Sequence, residues 1–196
     1  MKRIGLFGGS FNPIHNGHIS LASWMLEHSY VDEVWLLLSP KNPLKGDHYG
    51  ASDMQRQEML KLACENIEGL RPCFIEFDMP RPSYTINTLK QLSAEYPNNK
   101  YCLIIGSDNW LIFDKWRSSD IILQDYGVMI YPRPHYPIQL PLDQNAIYMA
   151  DAPMIDVSSS VIRNDISELI SMLPAKVAEY IIEHSLYGYN KSQSAK

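Results

Sequence analysis

The segment from Ile4 to His18 reads IGLFGGSFNPIHNGH and joins three signals of secondary structure. The apolar run from Ile4 to Phe7 predicts a buried strand that stops at two glycines. From Gly17 onward, apolar side chains recur at the spacing of one helix face. These side chains belong to Ile19, Ala22, Met25 and Leu26. A strand, a glycine-rich turn and a helix in this order indicate the beginning of an α/β fold.

The alternation of strand and helix continues along the chain. Val34 to Leu38 is an uninterrupted apolar run, which is typical of a strand buried on both faces of a parallel sheet. Further strands are predicted at residues 73–77, 101–105, 127–131 and 146–149. Further helices are predicted at residues 52–63, 83–96, 158–170 and 174–186. We therefore predict an α/β, Rossmann-like fold, with a mostly parallel sheet and helices on both faces.

One domain accounts for this pattern. The chain has 196 residues, which suits a single compact domain, and no internal repeat divides it. We assign residues 1–188 to that domain and expect the polar residues 189–196 to form a flexible tail. In such sheets ligands bind beyond the carboxyl ends of the strands, near the point where the strand order reverses.

Composition restricts the partners and the compartment. A net charge of −5 argues against binding a nucleic acid polymer, which needs an extended basic surface. Cys64, Cys73 and Cys102 are isolated and favour neither a disulfide framework nor a zinc site. The densest apolar run, Val34 to Leu38, is too short to cross a membrane, and no signal-peptide core follows Met1. We expect a cytoplasmic protein with small-molecule ligands.

The turn after the first strand has the composition of an anion site. Gly8 and Gly9 allow the backbone to turn sharply and to approach a ligand without a side chain in the way. Asn16 is the predicted N-cap of the helix, so free N–H groups and the positive end of the helix dipole face the turn. We expect His15 and His18 to lie on the rim of this site.

Two imidazoles at an anion site suit displacement at a phosphorus atom. Negative charge then accumulates on phosphate oxygens, and a hydrogen-bond donor aimed at them contributes about 3 kcal/mol. Imidazole is such a donor and can be cationic near neutral pH. The alternative is a simple turn with one packing and one surface histidine. A Walker-type ATPase and a dehydrogenase are disfavoured, because neither GxxxxGK[ST] nor GxGxxG occurs.

Segments along nearly the whole chain resemble the motifs of one family. The turn is similar to the His-x-Gly-His signature of the nucleotidylyltransferase superfamily. Further motifs of the nicotinate-nucleotide adenylyltransferases resemble residues 83–89 (SYTINTL), 106–108 (GSD) with Trp116 following, and 157–163 (VSSSVIR). By this resemblance we expect an enzyme of NAD biosynthesis.

The resemblance implies a reaction and a set of site residues. The phosphate of nicotinate mononucleotide would attack the α-phosphorus of ATP and give deamido-NAD and pyrophosphate, with Mg²⁺ carried by ATP and no metal site in the protein. His15 and His18 would be catalytic. The residues implied to bind ATP are Gly8, Gly9, Ser10, Phe11, His15, Gly17, His18, Gly106, Asp108, Ser158, Ser159, Ser160 and Arg163. The residues implied to bind the acceptor are Lys45, Tyr84, Thr85 and Trp116.

Three positions depart from the motifs of the family. Asn12 and Asn87 stand where aspartate is frequent, so Asn12 is not assigned as a metal ligand. Leu44 replaces the histidine of a Pro-His-Lys element, whereas Lys45 is retained.

The sequence allows other roles for several of these residues and other functions for the chain. Ser158 to Ser160 can be a helix N-cap, and Arg163 can be a solvated side chain. Asp108 can cap a helix or bind a ribose. Nicotinamide mononucleotide or phosphopantetheine is an alternative acceptor, while a noncatalytic sensor of ATP or NAD and an NAD-dependent oxidoreductase are less favoured. The sequence also leaves open whether the chain forms a homo-oligomer.

Overall fold

A six-stranded sheet is the centre of the structure, a computed structural model that describes residues 1–40, 50–140 and 142–190. Each pair of neighbouring strands is parallel, and the order is β3-β2-β1-β4-β5-β6. The strands are β1 (Lys2–Gly9), β2 (Glu33–Leu38), β3 (Leu70–Cys73), β4 (Asn99–Gly106), β5 (Val128–Tyr131) and β6 (Ala146–Tyr148). The strand order reverses between β1 and β4, which places a ligand crevice at the carboxyl ends of these two strands.

Helices connect the strands and follow the sheet. They are α1 (Asn16–Glu27), α2 (Asp53–Cys64), α3 (Thr85–Glu95), α4 (Ser107–Trp110), α5 (Ser119–Ile121), α6 (Ser159–Asn164), α7 (Ile166–Leu169) and α8 (Ala175–Glu183). Short 3₁₀ turns occur at Ile75–Asp78, Phe113–Lys115, Ile170–Met172 and Leu186–Gly188, and a π-helical turn occurs at Ile122–Tyr126. None of the helices within the described ranges has the length and apolar character that crossing a membrane requires.

Two apolar cores cover the two faces of the sheet. All six residues of β2 are buried, and they alternate between the cores because successive strand residues point to opposite faces. Val34 and Leu36 pack with helices α1, α2 and α8, whereas Trp35 and Leu37 pack with α3. Helices on both faces of a parallel sheet confirm the predicted fold class.

Three predicted boundaries are wrong. The strand expected at 73–77 ends at Cys73, because the chain turns inward there and the buried Glu76 accepts a hydrogen bond of 2.9 Å from Thr88 Oγ1 on α3. The helix expected at 158–170 is interrupted at Asp165, where ψ is 58°. Tyr189, assigned to the tail, is only 9% exposed and packs into the core; residues 191–196 lie outside the described part.

A buried arginine ties the first turn to the rest of the fold. Arg56 on α2 is fully buried. Its Nη1 donates to the carbonyl oxygens of Ser10 at 2.6 Å and Ser39 at 2.9 Å, and its Nη2 donates to Asp53 Oδ1 at 2.7 Å. These bonds join the loop after β1, the end of β2 and the start of α2.

Replacing Arg56 with methionine should therefore destabilise the fold strongly. The variant removes the guanidinium that donates to the carbonyl oxygens of Ser10 and Ser39 and to the Asp53 carboxylate, so we expect the free energy of unfolding to fall by about 3–5 kcal/mol. Urea denaturation measures the loss. Lys61→Met on the same helix is the control, because Lys61 and Glu58 form an exposed pair whose loss should cost under about 1 kcal/mol. Equal losses in the two variants would contradict this role of Arg56.

Candidate active site

The predicted site residues converge at the carboxyl ends of β1, β4 and β5. Gly8 and Gly9 end β1, Gly106 ends β4, and Arg133 lies just beyond β5. The ends of β4 and β5 approach each other closely: a Cβ atom on Gly106 would overlap Asp108 Oδ1 and would lie 2.9 Å from Arg133 Cγ. A side chain at position 106 would therefore displace both charged groups.

The first turn differs in detail from the prediction. Gly8 and Gly9 stay within β1, and the sharp turn falls on Phe11, which has a φ of 40°. Phe11 is 2% exposed and its ring packs edge-on against Phe7, so its side chain belongs to the core and is not available to a ligand. Among the residues that the structure describes, a Cβ atom on Gly8 would meet only Leu37, at 4.0 Å. Gly8 thus leaves room for a ligand at the end of β1.

His15 and His18 form a stacked pair at the start of α1. Their ring centroids are 3.7 Å apart and their planes differ by 30°. The N-cap is His15 rather than Asn16, and the backbone N–H of His15 donates to His18 Nδ1 at 3.3 Å. Because Nδ1 of His18 accepts this bond, its proton in the neutral ring is on Nε2. A Cβ atom on Gly17 would lie 3.1 Å from His15 Nδ1, so glycine makes space for the pair.

Both imidazoles are neutral in the ligand-free chain. Burial, helped by the positive charge of Arg133, lowers the pKa of His15 from its ordinary value of 6.5 to about 4. Burial, followed by His15 and Arg133, also lowers the pKa of His18 well below 6.5. Without a bound anion, neither imidazole is therefore cationic near neutral pH. His15 Nδ1 is buried and has no hydrogen-bond partner among the described residues, which is unusual for a buried polar atom outside a functional site.

Arg133 was not predicted from the sequence, and its positive charge acts on both imidazoles. Its Nε lies 3.7 Å from Asp108 Oδ1, and its backbone N–H donates to Ser107 Oγ at 3.0 Å. Its position directly after a buried strand could have revealed it, because the carboxyl end of such a strand faces the ligand crevice. The segment that contains Arg133 is rich in proline and carries no motif that points to this residue.

Asp108 is not the N-cap of α4. Gly106 holds that position, and Asp108 lies in the first turn of the helix. Its Oδ1 is buried and accepts no hydrogen bond within the described ranges, and Arg133 Nε approaches it only at 3.7 Å. The capping alternative is therefore wrong, while ribose binding stays a prediction.

Residues of α6 hold the first turn by its backbone. Ser158 is the N-cap and accepts a bond of 3.3 Å from the backbone N–H of Val161, which confirms the capping alternative for this residue. Ser159 Oγ donates to the carbonyl oxygen of Pro13 at 2.8 Å, and Arg163 Nη1 donates to that of Asn12 at 2.6 Å. Arg163 Nη2 also donates to Ser160 Oγ at 3.1 Å. Arg163 is thus not a purely solvated side chain, and its contact with phosphate stays a prediction.

Two cavities lie between the first turn and the predicted acceptor residues. One, of about 230 Å³, is lined by residues that include Gly8, Gly9, Ser10, Gly106, Thr85 and Trp116. The other, of about 280 Å³, is lined by Ser83, Tyr84, Thr85, Lys115, Trp116 and Arg117. Thr85 and Trp116 line both. A larger cavity of about 480 Å³ lies beside β3, and no predicted site residue lines it.

One further residue at the acceptor cavity was not predicted. The guanidinium carbon of Arg117 lies 4.7 Å from the ring centroid of Tyr84, which is the geometry of a cation–π contact. Its position directly after Trp116, a predicted acceptor residue, could have indicated it from the sequence. The remaining predicted acceptor residue, Lys45, lies outside the described residues.

The fold and the site together define a class of protein. The strand order, the glycine-containing end of β1 and the histidine pair at the start of α1 are features of a nucleotide-binding α/β fold. A family model described as cytidylyltransferase-like matches residues 6–165, so the class is that of the cytidylyltransferase-like proteins.

Relatives narrow the class to one family. A protein of Flavobacterium johnsoniae is 40% identical over 190 residues, which cover 94% of this chain and 98% of that protein. A protein of Bacteroides fragilis is 42% identical over 188 residues, which cover 94% and 89%. Both are named probable nicotinate-nucleotide adenylyltransferase. The chain belongs to the nicotinate-nucleotide adenylyltransferase family, which confirms the resemblance seen in the motifs.

A solved structure supports the fold alone. The nicotinic acid mononucleotide adenylyltransferase of Plasmodium falciparum, complexed with NaAD, aligns with a TM-score of 0.75 at 19% identity. The alignment covers 97% of this chain and 99% of the other. The two proteins therefore share the arrangement of strands and helices over nearly their full lengths.

The low pKa of His15 makes the stability of the ligand-free chain depend on pH. The unfolded chain binds a proton near pH 6.5, whereas the folded chain binds it only near pH 4. The contribution of His15 to the free energy of unfolding is therefore complete above pH 6.5. It decreases as the pH falls toward 4, by up to about 3 kcal/mol. Urea denaturation across this range should show a shallower decrease for His15→Gln than for the unchanged chain or for His184→Gln, which removes an exposed histidine. An identical slope in His15→Gln would exclude this cause.

Proposed function

We propose that this chain transfers AMP from ATP to nicotinate mononucleotide and forms deamido-NAD and pyrophosphate. The observation that carries the proposal is the stacked pair of neutral imidazoles at the start of α1, where the His18 ring contacts Phe7, a residue that lines the cavity reaching Thr85 and Trp116. The names of the relatives from Flavobacterium johnsoniae and Bacteroides fragilis support the same reaction.

The reaction requires little proton transfer. A phosphate oxygen of the mononucleotide forms a bond to the α-phosphorus of ATP, and the bond from that phosphorus to the bridging oxygen of pyrophosphate breaks. Pyrophosphate leaves with the electron pair of that bond. The attacking oxygen is already an anion, so the protein acts by positioning the reactants and by stabilising charge.

The histidines are suited to stabilise charge on the phosphate oxygens. His18 would donate from Nε2, because its Nδ1 accepts the bond from His15. Arg133 would provide a permanent positive charge that the neutral imidazoles lack. The bound triphosphate would also raise the pKa of both imidazoles, since nearby negative charge favours the protonated form. The site would thus gain positive charge only when its anion is present.

We assign the remaining nucleotide contacts from the positions of Asp108 and of the residues at the start of α6. Asp108 would accept hydrogen bonds from ribose hydroxyls, since its Oδ1 is buried and available. Ser158 to Ser160 and Arg163 would bind the outer phosphates, with donors additional to those that hold the loop. Mg²⁺ would enter as part of the substrate MgATP, whose phosphate oxygens are the ligands that it prefers.

The acceptor would bind between Tyr84, Thr85 and Trp116. Arg117, stacked over Tyr84, brings a positive charge to this cavity and favours an acceptor with a carboxylate on its ring. This contact supports nicotinate over nicotinamide mononucleotide and over phosphopantetheine.

A cytoplasmic location and the absence of a nucleic acid partner stay predictions.

Removing the His18 imidazole should impair turnover without unfolding the chain. We expect His18→Ala to lower kcat about a hundredfold in a pyrophosphate-release assay with ATP and nicotinate mononucleotide, by the loss of one charge-stabilising donor. His184→Ala is the matched control, because His184 is an exposed histidine at the end of α8. Wild-type turnover in His18→Ala would remove this residue from the mechanism, and no pyrophosphate release by the unchanged chain would favour the noncatalytic sensor.

Removing the charge of Arg117 should weaken the preference of the chain for nicotinate over nicotinamide mononucleotide. We expect the kcat/KM of the unchanged chain to be higher for nicotinate than for nicotinamide mononucleotide. Arg117→Gln should reduce that ratio about three- to fivefold, the effect of one exposed ion pair. Lys100→Gln, which removes an exposed charge at the opposite end of β4, should leave the ratio unchanged. A ratio unaffected by Arg117→Gln would place acceptor selectivity elsewhere.

A further inference from the structure

The last described turn of the chain contacts the first loop across 175 residues of sequence. The hydroxyl of Tyr187 donates a hydrogen bond of 2.6 Å to Asn12 Oδ1. Asn12 is fully buried and lies between the sharp turn at Phe11 and the histidine pair. A bond to a buried amide at this point restrains the loop where its direction changes.

The backbone of Tyr187 is held in an uncommon conformation. Its φ of 57° and ψ of 24° lie in the left-handed region, which bulky residues rarely occupy. Such a conformation persists when the surrounding structure determines it. Leu186 and Tyr189 on either side are both buried in the core, so they fix the turn in place.

The ring of Tyr187 is also in close contact with a second segment. A Cβ atom on Gly50, which has a φ of 86°, would lie 2.5 Å from Tyr187 Cδ1. The ring therefore packs directly on the Gly50 backbone. With the ring fixed there and the backbone fixed by the core, the hydroxyl has a defined position toward Asn12.

Two backbone carbonyl groups of the same loop are also held by side chains. The carbonyl oxygen of Asn12 accepts from Arg163, and the carbonyl oxygen of Pro13 accepts from Ser159. The Tyr187 hydroxyl adds a bond to the side chain, so both the backbone and the side chain of Asn12 are oriented. Asn12 precedes His15 by three residues.

We propose that Tyr187 is a positioning residue for the histidine pair: its hydroxyl orients Asn12, and thereby the loop that places His15 and His18. Tyr187 acts through Asn12 and makes no contact with the reacting atoms. The kinetic consequence rests on the proposed function, while the effect on the loop does not.

Tyr187→Phe tests the proposal, because it removes one oxygen and keeps the ring on Gly50. In hydrogen–deuterium exchange, we expect peptides that cover residues 10–18 to exchange at least about threefold faster, while peptides of β4 and the melting temperature stay nearly unchanged. Tyr180→Phe, which removes a hydroxyl from α8, is the control. Unchanged exchange at residues 10–18 would overturn the proposal whatever the activity of the chain.

A double-variant kinetic experiment tests the connection to the histidines. Tyr187→Phe should lower kcat about tenfold with little change in the KM for either substrate, since a small displacement of catalytic groups reduces rate more than binding. In the His18→Ala background the same change should have an effect of less than about threefold, because the group that Tyr187 positions is already absent. A tenfold loss in both backgrounds would show a general structural role instead.

The two experiments separate the two ways in which this account can fail. If the unchanged chain releases no pyrophosphate, the proposed function fails and the exchange experiment still decides the role of Tyr187. If the chain is active but Tyr187→Phe changes neither exchange nor kcat, the positioning role fails and the proposed function is unaffected.

Discussion

The hydrogen bonds that hold the loop between β1 and α1 are the constraint on which the site depends. The carbonyl oxygens of Ser10, Asn12 and Pro13 accept from side chains on α2 and α6. A loop that binds an anion must expose some N–H groups, so its own backbone cannot supply all of its bonds. Donors from distant segments stabilise the bend, and the histidine pair begins directly after it.

The electrostatics of the site explain how an acidic chain can bind a triphosphate. Burial keeps both imidazoles neutral in the absence of ligand, so the fold does not have to enclose two adjacent cations. Arg133 supplies a permanent charge, and its Nε lies 3.7 Å from Asp108 Oδ1. A crevice of this kind needs little fixed charge, because the bound anion would raise the pKa of the imidazoles and favour their protonation.

The local pattern of the sequence was sufficient for the fold and for part of the site. Uninterrupted apolar runs predicted β2 and β4, and the serine at position 158 was a visible helix start. Local pattern could not show that Arg56 would be buried, because the carbonyl groups it binds are 17 and 46 residues away in sequence. Arg133 had no motif of its own, and the sharp turn fell on Phe11 although two glycines stood nearby. These features arise from tertiary packing, which sequence spacing does not encode.

A crystal structure with a nonhydrolysable ATP analogue tests the central claim most directly. The account predicts the triphosphate at the start of α1, with a ring nitrogen of His15 or His18 about 2.6–3.2 Å from a phosphate oxygen. A nucleotide bound in the cavity beside β3, with the two imidazoles still stacked and without contact to phosphate, would contradict it.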